Sequence, residues 1–397
     1  MDAIVATAFW TSAAAAVYAY AGYPLAVYGL SRVAGGEPSP PRTDRLRLPR
    51  VALLIAAHNE AAVIDERLRN ALAIDYPAEL LYIVVASDGS DDATVGIARA
   101  HEPRVRVLDF RQRRGKAGVL NAALESIDAE VVVFSDANTM MGSEALLRLV
   151  RWFADPSVGA VCGRLVLHEP HRGRNADGAY WRYETFLKRC EGRLGGLLGA
   201  NGAIYAMRRS LIAPLPRGTV VDDFVLPLLA KIRARGLRGP ERRCRIVYDA
   251  DAIAYEETAP DVSGEFRRRA RIGVGGFQAL WILRSLLNPL HGWTSFTFWS
   301  HKVLRWLCPF CMVLCLLSSA ALAGSEPYRS AFALQVAFYL AAALAAAMPV
   351  RWRLARRLRI LPMFVWMNVA LLLGFVKFLR GGHGGVWKRT ARLQDAA

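Results

Sequence analysis

Four long stretches of this chain carry no formal charge: Ile4 to Leu30, Leu307 to Ser325, Ser330 to Val350 and Ile360 to Val376. A helix rises about 1.5 Å per residue, so crossing the hydrocarbon core of a bilayer takes about 20 residues. The first three stretches are long enough and the fourth falls slightly short, so the pattern predicts membrane helices at both ends of the chain. Between them the pattern changes. Val51 to Ala57, Leu81 to Ala86, Val105 to Phe110 and Val131 to Phe134 are short apolar runs, and Glu60 to Ala73, Asp91 to Ala100 and Gly118 to Ile127 read as intervening helices. Continuous apolar strands alternating with helices imply a parallel sheet covered on both faces. Ligands of such sheets bind beyond the carboxyl ends of the strands.

Composition supports a membrane protein. Of 397 residues 54% are hydrophobic and only 21% charged, too apolar for a disordered chain and poor in charge for a soluble one. The first apolar stretch is preceded by Asp2 and no Lys or Arg, is long, and holds Tyr18, Tyr20, Tyr23 and Tyr28, so it reads as a retained anchor and not a cleaved signal. Arg32, Arg42, Arg45, Arg47 and Arg50 follow it, which places the middle of the chain in the cytoplasm of an inner-membrane, multi-pass protein. Loop Gly324 to Arg329 then lies outside and the basic run Arg351 to Arg359 inside. The basic tail after Lys377 breaks this rule if Ile360 to Val376 spans fully, so either that run is re-entrant or a segment near Phe277 to Trp299 also enters the membrane. The net charge of +17 is assigned mainly to lipid-facing flanks; no nucleic-acid-binding module is present to use it. Cys162, Cys190 and Cys244 fall in the cytosolic part, and Cys308, Cys311 and Cys315 are read as packing residues of an apolar helix. The expected division is an anchor (1–31), a cytosolic domain (32–276), an interfacial segment (277–302), further membrane helices (303–380) and a basic tail (381–397).

The first strand ends in Ala56-Ala57-His58-Asn59-Glu60, without the Gly-x-Gly-x-x-Gly of a dinucleotide site, which disfavours nicotinamide and flavin enzymes. Later strands end in acids: Ser87-Asp88-Gly89-Ser90 and Ser135-Asp136-Ala137-Asn138. Residues two apart in extended chain project the same way, so Asp136 and Asn138 are expected to converge, and oxygen ligands at that spacing suit Mg²⁺ or Mn²⁺ bridging phosphates. The competing readings are a plain Asp-Gly-Ser turn and a helix cap.

The order of these pieces narrows the choice. Asn59-Glu60, Asp88-Gly89-Ser90, Gly115-Lys116-Ala117-Gly118, Asp136-Ala137-Asn138 and Asp222-Asp223 follow one another as in glycosyltransferase family 2. The chain resembles the membrane-bound members of that family over roughly Arg50 to Phe277. Gly22-Tyr23-Pro24 and Trp387-Lys388-Arg389-Thr390 in the flanks are similar to its polysaccharide synthase branch. The resemblance implies a GT-A fold, a Rossmann-like mixed sheet with helices on both faces, and an inverting, metal-dependent transfer of a sugar from a nucleotide donor, UDP-linked in most expectations, to a growing polysaccharide. The alternatives are addition of one sugar to a polyprenyl- or other lipid-linked acceptor and, from another class, a membrane scaffold that has lost catalysis.

By the same resemblance Asp88, Lys116 and Glu60 are the nucleotide contacts, and Asp136 with Asn138 holds the metal and the diphosphate. Asn138 stands where the family has a second carboxylate; an amide oxygen is a neutral, weaker ligand. Asp223 is the catalytic base for the acceptor hydroxyl and Asp222 its acidic neighbour in the acceptor site. A helix cap near Val225 is the competing reading of that pair. Gly199 and Asn201, in Gly199-Ala200-Asn201-Gly202-Ala203, are similar to the family's acceptor loop, against a simple turn. Arg271 and Arg268 are assigned to the leaving diphosphate, against a basic amphipathic surface helix. Arg268 and Ile272 replace the Gln and Trp of the processive motif; Trp281 or Phe277 is a substitute for the lost aromatic platform.

Overall fold

The computed structural model describes residues 2–41, 47–168, 178–257, 262–348 and 358–381, with side chains throughout except at 168, 178–181 and 262–265. The Trp387-Lys388-Arg389-Thr390 motif and most of the basic run Arg351 to Arg359 lie outside these residues. The chain divides into two compact units: Met1–Ala26, Val262–Phe277 and Phe298–Gly382 form one, and Val27–Asp261 with Gln278–Thr297 the core of the other.

The chain opens with helix α1 (Asp2–Val17), a π-helical turn (Tyr18–Gly22) and α2 (Tyr23–Val33). Pro24 has no N–H to donate and crowds the turn before it, and the Tyr23 N–H reaches back to the Tyr18 carbonyl, so the turn widens. Alternating strands and helices follow. They are β1 (Val51–Ala57), α3 (Ile64–Leu72), β2 (Leu81–Asp88), α4 (Thr94–Arg99), β3 (Val105–Phe110), α5 (Gly115–Glu125), β4 (Val131–Asp136), β5 (Met140–Met141) and α6 (Ala145–Val150). Then come β6 (Val158–His168), α7 (Gly178–Leu194), β7 (Tyr205–Arg208), α8 (Asp222–Ala234), β8 (Arg245–Glu257), α9 (Val262–Ile282) and α10 (Trp293–Thr297). The chain continues through α11 (Leu304–Ala321), α12 (Tyr328–Ala347) and α13 (Ile360–Leu379).

The eight strands form one sheet in the order β3-β2-β1-β4-β7-β6-β8-β5. The parallel sheet implied by the strand pattern is seen in β1 to β4, and β6 and β8 also pair in parallel, whereas β7 runs antiparallel to β4 and β6 and β5 antiparallel to β8. The reason is local: Gly199–Ala203 lies at the carboxyl rim of β4, where Ser135 Oγ donates to the Ala203 carbonyl, so β7 enters the sheet from that rim and must run back. Every residue of β1 is buried. One face of the sheet packs on α3, whose Ile64, Arg67, Leu68 and Ala71 form a buried stripe at helical spacing, and α5 covers β1 and β2. The register pairs Ala57 with Ser87, Ala56 with Asp136 and Asp88 with Phe110, so the acidic strand ends leave the sheet along one rim.

In the other unit α1 packs along α11. Tyr18 Oη donates to Ser300 Oγ at 3.0 Å, and Tyr23 stacks on His301 where a second π-helical stretch, Phe298–Val303, leads into α11. Backbones of α9 and α13 meet at glycines: a β-carbon on Gly374 would lie 2.8 Å from the carbonyl carbon of Gly273. Among the described residues four helices, Asp2–Val33, Trp293–Ala321, Tyr328–Ala347 and Ile360–Leu379, are long and apolar enough to cross a membrane. The second begins well before the uncharged run at Leu307.

Candidate active site

Asp88 ends β2 with its side chain fully buried. Its carboxylate accepts from the backbone N–H of Arg114 at 2.6 Å and of Gly115 at 3.1 Å, which fixes the start of α5. Gly115 takes a positive φ of 73°, where a side chain would be strained. The next residue, Lys116, is thereby aimed across the rim. The first turn is tied to the second: His58 Nδ1 pairs with the Asp88 carbonyl at 2.8 Å, and the Asn59 amide bonds to Asp91. Glu60 is buried at the foot of α3, its N–H donating to Thr94 Oγ1.

Lys116 Nζ lies 2.8 Å from Asp136 Oδ1 and 3.4 Å from Asp222 Oδ1. Burial opposes its charge, but Asp136, Asp222 and Asp223 outweigh burial and hold its pKa above the ordinary lysine value. Asp223 sits in the first turn of α8, where the N-cap is Val221 and no side chain caps the helix, so the capping reading of the acidic pair does not hold. Instead Asp223 Oδ2 accepts from the Gly202 N–H at 2.9 Å, and the Asp223 carbonyl accepts from Ala200 N. A β-carbon at Gly202 would lie 3.4 Å from Asp223 Oδ2 and 3.7 Å from Asp136 Oδ2, so both carboxylates border one glycine. Burial, then the nearby Asp222, push the Asp223 pKa up to about 6, although Lys116 opposes the rise.

Gly199 has a φ of 70° and packs against Phe224 Cα, which lays the loop on α8. Asn201 Nδ2 donates to the Gly163 carbonyl, and its Oδ1 accepts from Lys188. The Asp136–Asn138 pair is not an extended stretch: β4 ends at Asp136, and Ala137 and Asn138 form a turn. Asn138 Nδ2 donates to Glu256 Oε1 at 2.8 Å. A carboxylate only accepts, so the nitrogen must face Glu256 and the amide oxygen points elsewhere. Among the described residues no three His, Cys, Asp or Glu side chains are grouped to hold an ion alone. One carboxylate and one amide suit a hard cation whose remaining ligands are phosphate oxygens and water.

Arg268 and Arg271 lie on α9 within the helical unit, Arg271 exposed. Phe277 is buried against Phe375, Phe378 and Phe310, so it cannot serve as an aromatic platform; Trp281 is exposed beside Arg284. Three further residues border the site without having been singled out in the sequence. Tyr205, fully buried and stacked on Phe134, has its pKa raised by burial and then by Asp222, Asp223 and Asp136. Gln278 Oε1 accepts from Val220 N and its Nε2 donates to the Gly218 carbonyl, bracing the approach to Asp222. Arg67 is entirely buried behind the turn of Asp136; its place on the apolar stripe of α3 was visible in the spacing of Ile64, Leu68 and Ala71.

A mixed sheet with acidic side chains gathered along one rim defines a GT-A-type fold. Residues 52–213 match the model of glycosyl transferase family 2. It is 26% identical over 241 residues to poly-β-1,6-N-acetyl-D-glucosamine synthase of Staphylococcus aureus, covering 58% of this chain and 55% of that protein. It is also 27% identical over 190 residues to β-monoglucosyldiacylglycerol synthase of Synechocystis, covering 45% and 40%. The chain thus spans about half the length of the curated relatives it matches. A mannosyltransferase of Pyrobaculum calidifontis, solved with GDP-Man and Mn²⁺, shares the fold with a TM-score of 0.68 at 22% identity, over 94% of this chain and 99% of that one.

Proposed function

We propose that this protein is a membrane-embedded, inverting glycosyltransferase that moves a sugar from a UDP-linked donor to a growing polysaccharide, forming a β-linkage. The observation that carries the reading is the pair of carboxylates, Asp223 and Asp136, bordering Gly202 at the carboxyl rim of the sheet. Asp223 takes the proton of the acceptor hydroxyl while the acceptor oxygen bonds to the anomeric carbon. The bond from that carbon to the diphosphate breaks, and the nucleoside diphosphate leaves with the electron pair. Burial and the Asp222 charge make Asp223 a stronger base than an exposed aspartate. The Gly202 N–H keeps its carboxylate aimed, and the Gly199–Ala203 loop with Asn201 receives the acceptor.

Asp88 serves the nucleotide by shaping the Arg114–Lys116 segment, with Glu60 beside it. Lys116, held between Asp136 and Asp222, provides a cation for the phosphates. Asp136 and Asn138 would hold Mg²⁺ or Mn²⁺, which offsets the negative charge that develops on the leaving group. Arg271, with Arg268, is assigned to the same diphosphate. The site is read as cytoplasmic and the apolar helices as membrane-spanning.

Transfer of a single sugar to a lipid-linked acceptor is the second reading, favoured by Ile272 in place of an aromatic platform and by the burial of Phe277. Membranes containing the full chain are incubated with labelled nucleotide sugars, with and without Mn²⁺ or Mg²⁺. A ladder of long products supports the synthase and one discrete lipid product the second reading. Absence of transfer from every donor would overturn both.

A further inference from the structure

Arg67 has the largest fully buried side chain among the described residues, and it is a cation. Burial lowers its pKa to about 10, and the carboxylate that counters this is Asp136. A guanidinium is costly to bury unless its donors are placed to a purpose. Its Nη2 donates to Ser135 Oγ at 3.2 Å and its Nη1 to Asn70 Oδ1 at 3.0 Å, whereas its Nε finds no partner. Asn70, one turn along α3, bonds Met141 at both backbone groups: Nδ2 donates to the carbonyl and Oδ1 accepts from the N–H, each at 2.9 Å. Ser135 immediately precedes Asp136, and Met141 closes the turn that carries Asn138. One helix therefore grips both ends of the segment 135–141, and through Ser135 Oγ and the Ala203 carbonyl the grip extends to the loop under Asp223.

We propose that Arg67 and Asn70 are positioning residues that hold the Asp136–Asn138 turn in its ion-binding shape. The proposal rests on reading Asp136 and Asn138 as ion ligands. Groups that orient metal ligands without touching the metal typically change metal affinity by about 10- to 100-fold when removed. Charge and geometry predict opposite signs for Arg67. On charge alone, removing a cation near Asp136 would tighten the binding of another cation. If the fork sets the shape of the turn, its removal weakens binding in spite of the relieved repulsion.

Purified full-length protein in detergent is titrated with Mn²⁺ at saturating UDP, and free Mn²⁺ is read by electron paramagnetic resonance. Arg67→Met, Arg67→Lys and Asn70→Ala are each expected to bind Mn²⁺ about 10-fold or more weakly, with UDP affinity in the absence of metal unchanged. Arg67→Lys keeps the charge and loses the two-pronged fork, so its weakening excludes a purely electrostatic role. Asn70→Ala removes no buried charge and provides the test if Arg67→Met does not fold. Unchanged or tighter Mn²⁺ binding in Asn70→Ala and Arg67→Lys would overturn the proposal. If the wild type itself binds no more Mn²⁺ than Asp136→Asn does, the ion-ligand reading falls and takes the proposal with it, a result distinct from any effect of the α3 variants.

Discussion

Asp223 holds its proton up to about pH 6, whereas in an unfolded chain it would release it near 3.8. Between these values the folded state binds more protons than the unfolded one, so this group's contribution to stability falls as the pH rises through that window. Function and stability are therefore opposed at this residue. Asp223→Asn is expected to raise the melting temperature at pH 7.5 and to lower turnover by about 10²- to 10⁴-fold, with nucleotide binding kept. Calorimetry and a transfer assay check the two halves. In the wild type kcat/KM should climb with pH and level off above about 6, as expected of a base that must be ionised. The acidic strand ends were readable in the sequence because Asp88 and Asp136 each follow a run of buried β-branched residues. Tyr205 and Arg67 were not singled out, because neither belongs to a local motif. A tyrosine in a strand and an arginine in a helix look ordinary until the strand order brings Tyr205 beside Asp222, Asp223 and Asp136 and Arg67 behind Asp136.

The loop Gly199–Ala203 works because two backbones approach too closely for a side chain. Gly199→Ala would force a β-carbon to 2.9 Å from Phe224 Cα at a φ of 70°. A loss of about 1–3 kcal/mol of stability is expected, seen in a denaturant melt, together with weaker acceptor use, because the loop also carries the N–H that holds Asp223. In the helical unit Gly374→Leu should part α9 from α13 and lower the detergent melting temperature by several degrees, because the two backbones meet at Gly273 and Gly374 too closely to admit a side chain. The strand limits at Val51–Ala57 and Val105–Phe110 agree with those expected from the apolar runs. Helix α3 starts later than expected: Asn59 takes a positive φ of 55° and Glu60 begins a turn, so the backbone needs several residues to change direction. The antiparallel course of β7 could not be foreseen, since a strand's own side chains do not encode which rim it enters from.

For the molecule as a whole, four apolar helices distributed over both ends of the chain predict retention in the membrane pellet after an alkaline carbonate wash, with release only by detergent; release by carbonate would show that the helices lie on the bilayer. In a chain of net charge +17, three acids, Asp136, Asp222 and Asp223, meet at one rim of the sheet. There Lys116 already sits between Asp136 and Asp222. A lone divalent ion entering would have to expel that ammonium and strand it among buried groups, whereas an ion arriving already chelated by a nucleotide brings the anion to which the lysine can turn. On the proposed reading of Asp136 and Asn138 as ion ligands, cation and donor are expected to enter together as a complex. Titration of the protein with Mn²⁺ alone should give little binding, and UDP should create the affinity.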